Sequence, residues 1–576
     1  MDGAAEERAI FPRFTLEIAL WALLICVALL VRLWDLGTAP LEDGESIRAI
    51  SAWQLTLCQT PLAWREPLTT VLTAAVFLLF GAGDSTARLV PLVAGITLVS
   101  LFFGLRPVIG RPGAFGAALL VSLSPSFVFF SRFLSGDTLA ALLSLGLVLC
   151  FRRYLSDRRS EWIVMAAALV ALLLNVGPSG LTFLLAAGLA SVTLFATGQI
   201  PNAWSEAVTF ATEDRPGLLR AVVVFVATFV AAGTGLLSNV GSFGWPSFGD
   251  WLNQFGPSTG GRPVSALAAL LLYEPLALGL GLAGAILLFW SWRGKSRPAD
   301  SAFHILFMIW AAFGLIVFLL SQREHAGGIL MALLPLGILG GELAGKLATA
   351  TTRAALRDVG ILLAPLPFLL VYLWILIAQG SKGLSATPAL LLYMALAAAA
   401  VVVFLAGIAM RTQGATGVII VTAGITTLLG AYSIHTTWWV AQRDGPTELL
   451  VYATPSADVR QAAASIKDVA VDRTAAKNGG VTVQSSLTAP FAWYLRDVPG
   501  LRFAAEIDPG GSGQVAAIGD APAAKTMTGY VSRWLQLHST WNPDSVTPAR
   551  LWRWLMYREP YGTVNTARFV LYTKSA

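Results

Sequence analysis

The chain has 576 residues, 56% of them hydrophobic and only 12% charged, with a mean hydropathy of +0.69. A soluble globular chain carries roughly a quarter charged residues, so this composition excludes a soluble enzyme and describes a chain that crosses a membrane many times. The formal charge of +6 sits in short loops between apolar runs, where positive-inside topology accounts for it, and no nucleic-acid partner is expected.

The residues from Met1 to Arg13 show no cleavable signal peptide and lead into a first span, Phe14 to Trp34. Loop basic residues place the N-terminus in the cytoplasm and the loop 35–84 on the outer side of the plasma membrane. That loop carries Glu42, Asp43 and Glu45 within APLEDGESIRAISAW. Acids beside a hydrocarbon core are costly unless solvated or used, so a helix-capping loop and a chemical site are both open readings. Ile47, Ile50, Trp53 and Leu57 share one helical face, and Pro67 to Phe80 is apolar but short. Both read as helices lying in the membrane interface, with a true span at Pro67–Phe80, which would invert the topology after it, as the alternative for the second.

Further spans are expected at Thr86–Leu105, Gly113–Phe130, Leu139–Phe151, Trp162–Asn175, Leu181–Thr197, Leu218–Leu237 and Val264–Trp292. His304–Leu320, Ile329–Leu347, Ile361–Ile377, Ala389–Met410 and Val418–Val440 bring the count to about thirteen. Arg106 and Arg111, the run Arg152, Arg153, Arg158 and Arg159, and Arg293 with Lys295 mark the inner ends. Trp245, Trp251 and Phe255 read as interfacial anchors. The fold class expected is therefore a polytopic α-helical membrane domain, 1–440, followed by a small extracytoplasmic α/β domain, 441–576. In that second domain Glu448–Ala453, Gly480–Gln484 and Gln514–Ile518 read as strands and Ser456–Val469 as an amphipathic helix. Its end, Trp552 to Lys574, alternates aromatic and basic residues suited to headgroups or to the membrane domain.

Chemistry concentrates in the outer loops. Besides the acid cluster they hold Arg65-Glu66-Pro67, Gly83-Asp84 with Arg88, and Arg132 with Asp137. Arginine grips phosphate in a forked geometry and a carboxylate deprotonates or orients a hydroxyl, a combination suited to a phosphate-bearing lipid donor. Snorkelling of Arg88 and Arg132 toward a nearby acid is the competing reading. His304, His325, His435 and His538 are scattered, and Cys26, Cys58 and Cys150 form neither a disulfide nor a metal spacing. No phosphate-binding glycine loop follows a strand, no internal repeat is evident, and no coupling acid lies inside a span, all of which disfavour a transporter. Glu274 comes nearest, and an interhelical structural role is expected there.

An acidic first loop, then Gly83-Asp84 with Arg88-Leu89, then Ser124-Pro125-Ser126 through Ser131-Arg132-Phe133 with Asp137, resembles the GT-C membrane glycosyltransferases. That superfamily includes protein mannosyltransferases, aminoarabinose transferases and oligosaccharyltransferases. Within it the chain most resembles the archaeal and bacterial family named for association with flippase activity. Tyr273-Glu274-Pro275, Trp493-Tyr494-Leu495-Arg496-Asp497 and Tyr557-Arg558-Glu559-Pro560 carry the resemblance onward.

The resemblance implies a polyprenyl-phosphate-linked sugar as donor, a lipid or protein acceptor, and inverting transfer at the outer face. Glu45 or Asp43 is then the base, Arg88 and Arg132 hold the donor phosphate, and Asp137, Arg65 and Glu66 support them. The metal question stays open, with magnesium or manganese as the candidates. Several positions depart from the family pattern. Its adjacent Asp-Glu pair is split here as Asp43-Gly44-Glu45, its His-Gly-Pro reads Arg65-Glu66-Pro67, and the residues before Asp137 are Ser135 and Gly136. A Thr-Lys-Glu stretch is replaced at Gly177-Pro178-Ser179, and a Glu-Lys-x-Pro-Trp stretch is lost around 323–327. The alternative expectation is therefore a catalytically degenerate homologue that serves as a scaffold or accessory subunit among partner membrane proteins.

Overall fold

A computed structural model describes residues 15–198, 214–240, 246–256, 262–291, 301–321, 323–350, 415–442, 448–451, 453–474, 480–507, 514–521, 527–542 and 548–574. Helix α1, Leu16–Leu33, opens where the Thr15 hydroxyl accepts the Ile18 amide, satisfying one orphan donor of the first turn. After it come α2, Asp43–Thr56, α3, Pro67–Phe80, and the single turn α4, Asp84–Ala87. The next elements are α5, Leu89–Leu101, α6, Arg106–Leu123, and α7, Pro125–Phe130. Then follow α8, Asp137–Asp157, α9, Ser160–Asn175, and α10, Pro178–Ala196. Helices continue at Arg215–Gly233, Arg262–Tyr273, Pro275–Ser291, Ser301–Leu320, Ile329–Ala350 and Ala415–Gln442.

Seven helices among the described residues are long and apolar enough to cross a membrane, or eight if a bent pair is one span. The expected spans at 361–377 and 389–410 lie outside the described residues, as does Trp245. Two expected spans differ in detail. The run 264–292 breaks by 92° between Tyr273 and Pro275, because a proline disfavours helical geometry in the residue before it and lacks an amide. The run 113–130 breaks at Ser124, again before a proline, and its end becomes the short buried helix α7. Helix α3 is 14 residues long, with Thr69, Thr70 and Thr73 buried and Leu78, Leu79 and Phe80 exposed.

Ion pairs mark the two ends of the bundle. Glu17, at the start of α1, pairs with Arg106 at 2.9 Å and Arg111 at 3.6 Å. At the other end of α1, Arg132 donates to the carbonyl of Val31. Helix α8 runs from Asp137 near that second end toward Arg152 and Arg153.

The C-terminal part is a mixed six-stranded sheet in the order β1-β5-β6-β4-β2-β3. Its strands are β1, Thr454–Pro455, β2, Gly480–Gln484, β3, Leu501–Ala504, β4, Gln514–Asp520, β5, Tyr530–Asn542, and β6, Thr563–Lys574. Strands β2 and β4 lie where the sequence pattern places them, and the amphipathic helix runs from Asp458 to Thr474. One expectation fails. Residues 448–451 form no strand, because Glu448 turns toward the membrane helices. Of the two places expected for the Trp552–Lys574 end, the structure shows the membrane domain: Trp554 packs edge-on to Tyr273 and Arg558 lies over the same ring. Trp554 is fully buried against Trp541, and β6 runs inside the sheet with Phe569, Val570, Leu571 and Tyr572 buried.

The outer loop and the sheet domain share one core. Leu41, Ala49, Ile50 and Phe77 pack with Phe491, Trp493, Ile518 and Phe569. At its rim, Asp84 accepts hydrogen bonds from Trp493 Nε1 at 2.7 Å, Tyr494 OH at 2.9 Å and Arg460 Nε at 2.9 Å. Arg460 also donates to the carbonyls of Gly37, Thr38 and Ala39. Charge-assisted bonds of this kind contribute about 1.5–3 kcal/mol each. Asp84→Ala is expected to raise amide hydrogen exchange across helix 458–474 while leaving α6 and α8 unchanged. Exchange that rises equally in both regions would contradict the docking role.

Candidate active site

The acid loop folds as the head of α2, and Glu45 is its fixed point. Glu42 caps the helix, and the Glu45 side chain returns to the Glu42 amide at 3.2 Å in a capping box. Glu45 is fully buried. Its Oε1 accepts Arg88 Nε at 2.9 Å and the Leu134 amide at 2.8 Å, and its Oε2 accepts Arg88 Nη2 at 2.6 Å. Arg88, 1% exposed, is just as occupied. Its Nη1 donates to the carbonyls of Leu36 and Ala39, and its Nη2 adds that of Pro40. All five guanidinium N–H donors of Arg88 are thereby matched to acceptors in the chain. Burial alone lowers the Arg88 guanidinium, and Glu45 more than reverses that, holding it above the ordinary arginine value.

This geometry departs from the expected roles of Glu45 as base and Arg88 as phosphate clamp. Neither has a lone pair or proton facing outward. The charges are 43 positions apart in sequence, so their pairing is a tertiary event that loop composition could not reveal.

A second ion pair stands beside the first. Arg48 Nη2 meets Glu66 Oε1 at 2.8 Å, and Glu66 Oε2 accepts the Gly136 amide at 2.9 Å. Burial pushes the Glu66 carboxyl up, Arg48 pulls it down, nearby Asp137 pushes it up again, and the net direction is upward. Asp137 accepts the hydroxyls of Ser135 at 2.9 Å and Ser179 at 2.6 Å. Its carboxylate is therefore held by two serine hydroxyls. Glycines let these strands meet: a Cβ on Gly136 would lie 2.1 Å from the Val176 carbonyl, and one on Gly327 would lie against the Asp137 carboxylate. Arg65 is exposed and makes no ion pair among the described residues. A side chain at position 44 would begin 3.2 Å from Arg48 Nη1, so the guanidinium of Arg48 borders the place of the missing acid.

Asp43 is different. Its side chain is 46% exposed, and His538 Nδ1, carried on β5 of the sheet domain, lies 3.9 Å from its carboxylate. Partial burial pushes the Asp43 carboxyl above the ordinary aspartate range, and His538 pulls against it. The sequence reading missed His538 because 495 positions separate it from Asp43.

It also missed Arg32, hidden inside the first apolar run. Arg32 is 1% exposed, donates to the Ala28 carbonyl at 3.2 Å, and its buried Nε has no hydrogen-bond partner among the described residues. Ser131 and Gly95 flank it; a Cβ on Gly95 would lie 2.7 Å from Ser131 Cβ and 3.2 Å from Arg32 Nε. Its electrostatic neighbour is another cation, Arg132. Arg132 donates to the carbonyls of Val31 and Asp35, and burial together with the charge of Arg88 pushes it down to about 10 against an upward pull from the Asp35 carboxylate. A buried guanidinium with no carboxylate is costly unless an anion joins it. Among the described residues no three His, Cys, Asp or Glu side chains converge on one point.

The motifs that carried the family resemblance prove to bind one another. Glu274 Oε1 accepts Ser124 Oγ at 2.6 Å and the Ser126 amide at 2.8 Å. Tyr273 donates to Glu448, which also pairs with Arg558 at 3.0 Å. Arg496 lies 3.9 Å over the Trp493 ring, which stacks on Phe77. These contacts fasten the helices to one another and to the sheet.

Comparison with known proteins agrees with this architecture. A family model described as dolichyl-phosphate-mannose-protein mannosyltransferase matches residues 61–211, a stretch that begins after the acid cluster. No curated protein matches by sequence. Among solved structures, the chain is similar to ArnT from Cupriavidus metallidurans bound to undecaprenyl phosphate. Identity is 17% and the TM-score 0.54, over 87% of this chain and 93% of that one. The apo state of the same protein matches at 18% identity and TM-score 0.51, over 84% and 86%.

Proposed function

Because the chain has the fold of the GT-C membrane glycosyltransferases, we propose that it transfers a sugar from a polyprenyl-phosphate carrier to a lipid or protein acceptor at the outer face of the plasma membrane. Asp43 carries this reading. It alone among Asp43, Glu45 and Glu66 keeps a half-exposed carboxylate, while the other two are filled by arginines and amides. Asp43 takes or orients the proton of the acceptor hydroxyl, and His538 faces it from the sheet domain. The donor phosphate sits against Arg32, where an anion would relieve a buried cation whose neighbour Arg132 is also positive. The likeness to a protein solved with undecaprenyl phosphate supports a lipid-phosphate donor.

Transfer requires Asp43 in its ionised form, so activity is expected to fall on acidification at a pH above the ordinary aspartate value. The stability effect has the opposite sign. A carboxyl raised by folding favours the folded state while protonated, and that contribution is lost as pH rises through the folded value. The check is a pH–rate profile of label transfer from radiolabelled polyprenyl-phosphate sugars. A profile flat through the acid range would remove Asp43 from the role.

One observation favours a second reading, a degenerate homologue acting as an accessory subunit. Arg48 borders the position of the missing acid, and its pair with Glu66 occupies the adjoining space. That reading predicts stoichiometric co-purification with a partner complex and no retained lipid phosphate.

A further inference from the structure

A second ligand site lies at the other end of the bundle. Helix α8 begins at Asp137, and Arg152 comes 15 residues later, about 22 Å along the axis at 1.5 Å per residue. There α5, α8 and α9 enclose a crevice of about 430 Å³ walled by Leu101, Leu142, Leu149, Met165 and Leu169. Gly104 and Gly146 hold the walls close: a Cβ on Gly104 would lie 2.9 Å from Leu149, and one on Gly146 would lie 3.6 Å from Leu169.

The rim has a different chemistry. Arg152 Nε and Trp162 Nε1 are both buried donors with no hydrogen-bond partner among the described residues. Arg153 lies 6.0 Å from the Trp162 ring. Neither Arg152 nor Arg153 has a carboxylate ion pair among the described residues. Arg158 and Arg159 follow in the same loop. Unsatisfied buried donors are costly, and two of them on one rim above an apolar slot call for an acceptor joined to a hydrocarbon.

We propose that this crevice binds one anionic glycerophospholipid, with an acyl chain between α5, α8 and α9 and the phosphate on Arg152 Nε and Trp162 Nε1. An acyl chain alone fills the walls and leaves both donors bare. A choline headgroup brings a second cation beside Arg152 and Arg153, so an anionic headgroup is preferred. Basic pockets between helices are the recurring form of such sites. The site stands apart from Asp43 and Arg32, and it does not depend on the proposed reaction.

Native mass spectrometry of the full chain, with added phosphatidylglycerol or phosphatidylcholine, tests it. The wild type is expected to keep one phosphatidylglycerol under activation that strips phosphatidylcholine. Arg152→Gln with Arg153→Gln is expected to weaken phosphatidylglycerol at least tenfold and leave phosphatidylcholine unchanged. Gly146→Phe is expected to expel the lipid with both arginines in place. Equal retention of the two lipids would overturn the proposal, as would unchanged retention in the double variant or displacement by polyprenyl phosphate. If the variants fail to fold, the wild-type lipid comparison and the polyprenyl phosphate competition still decide.

Discussion

Arg88→Met is expected to destabilise the protein by about 3–5 kcal/mol, because it leaves Glu45 charged, fully buried and without its counter-ion. The loss should appear as a drop in the thermal midpoint followed by size-exclusion chromatography in detergent. Adding Glu45→Gln removes the stranded charge and keeps an acceptor for the Leu134 amide. The double variant is therefore expected to recover at least half of the loss. A purely phosphate-binding Arg88 predicts the reverse pattern. Its variant would keep the wild-type midpoint and lose only lipid phosphate. The same pair sets what Glu45→Gln alone should do: loosen the first loop and the 131–136 turn above it.

Asp43→Asn is expected to lower sugar transfer by about 10²–10⁴-fold, the usual range for a positioned general base, with the thermal midpoint preserved. Half-exposed and outside the buried ion pairs, Asp43 adds little to folding. Label transfer from radiolabelled polyprenyl-phosphate sugars into membrane-extract acceptors reads the effect. Wild-type rates in Asp43→Asn would rule the residue out. His538→Gln belongs in the same experiment. A residue that positions Asp43 should shift the pH profile more than it lowers the plateau rate.

Much of the fold could be read from the sequence because hydrocarbon length and loop charge leave few choices. The helix breaks at Ser124 and Glu274 each precede a proline, and both were present in the sequence as local signals. The long hairpin of β5 and β6 was not readable, since its strand pattern is interrupted by aromatic and basic residues that suit an interface equally well. The candidate site was legible as an inventory and illegible as a wiring diagram. Glu45, Arg88, Glu66, Asp137 and Arg132 all meet near the head of α2, as the loop composition suggests. Which acid takes which arginine depends on contacts spanning 18 and 43 positions. Arg32 was concealed by its apolar neighbours, and His538 by distance along the chain. In each case the missing information was long-range.

The family motifs teach the same lesson. Tyr273-Glu274-Pro275 and Ser124-Pro125-Ser126 are joined through Glu274, and Asp84 is held by Trp493 and Tyr494. Their resemblance to the GT-C pattern therefore reports how the fold is fastened. It says less about the reaction, whose evidence rests on Asp43, Arg32 and Arg132.

Lipid-phosphate binding tests the proposed function most directly, because it needs no knowledge of the acceptor. Native mass spectrometry of the purified chain with polyprenyl phosphate should show one bound molecule in the wild type and in Asp43→Asn. Arg32→Gln should lose it at least tenfold at an unchanged thermal midpoint. A wild type that binds no polyprenyl phosphate, or an Arg32→Gln variant that binds it as the wild type does, would contradict the proposed donor site.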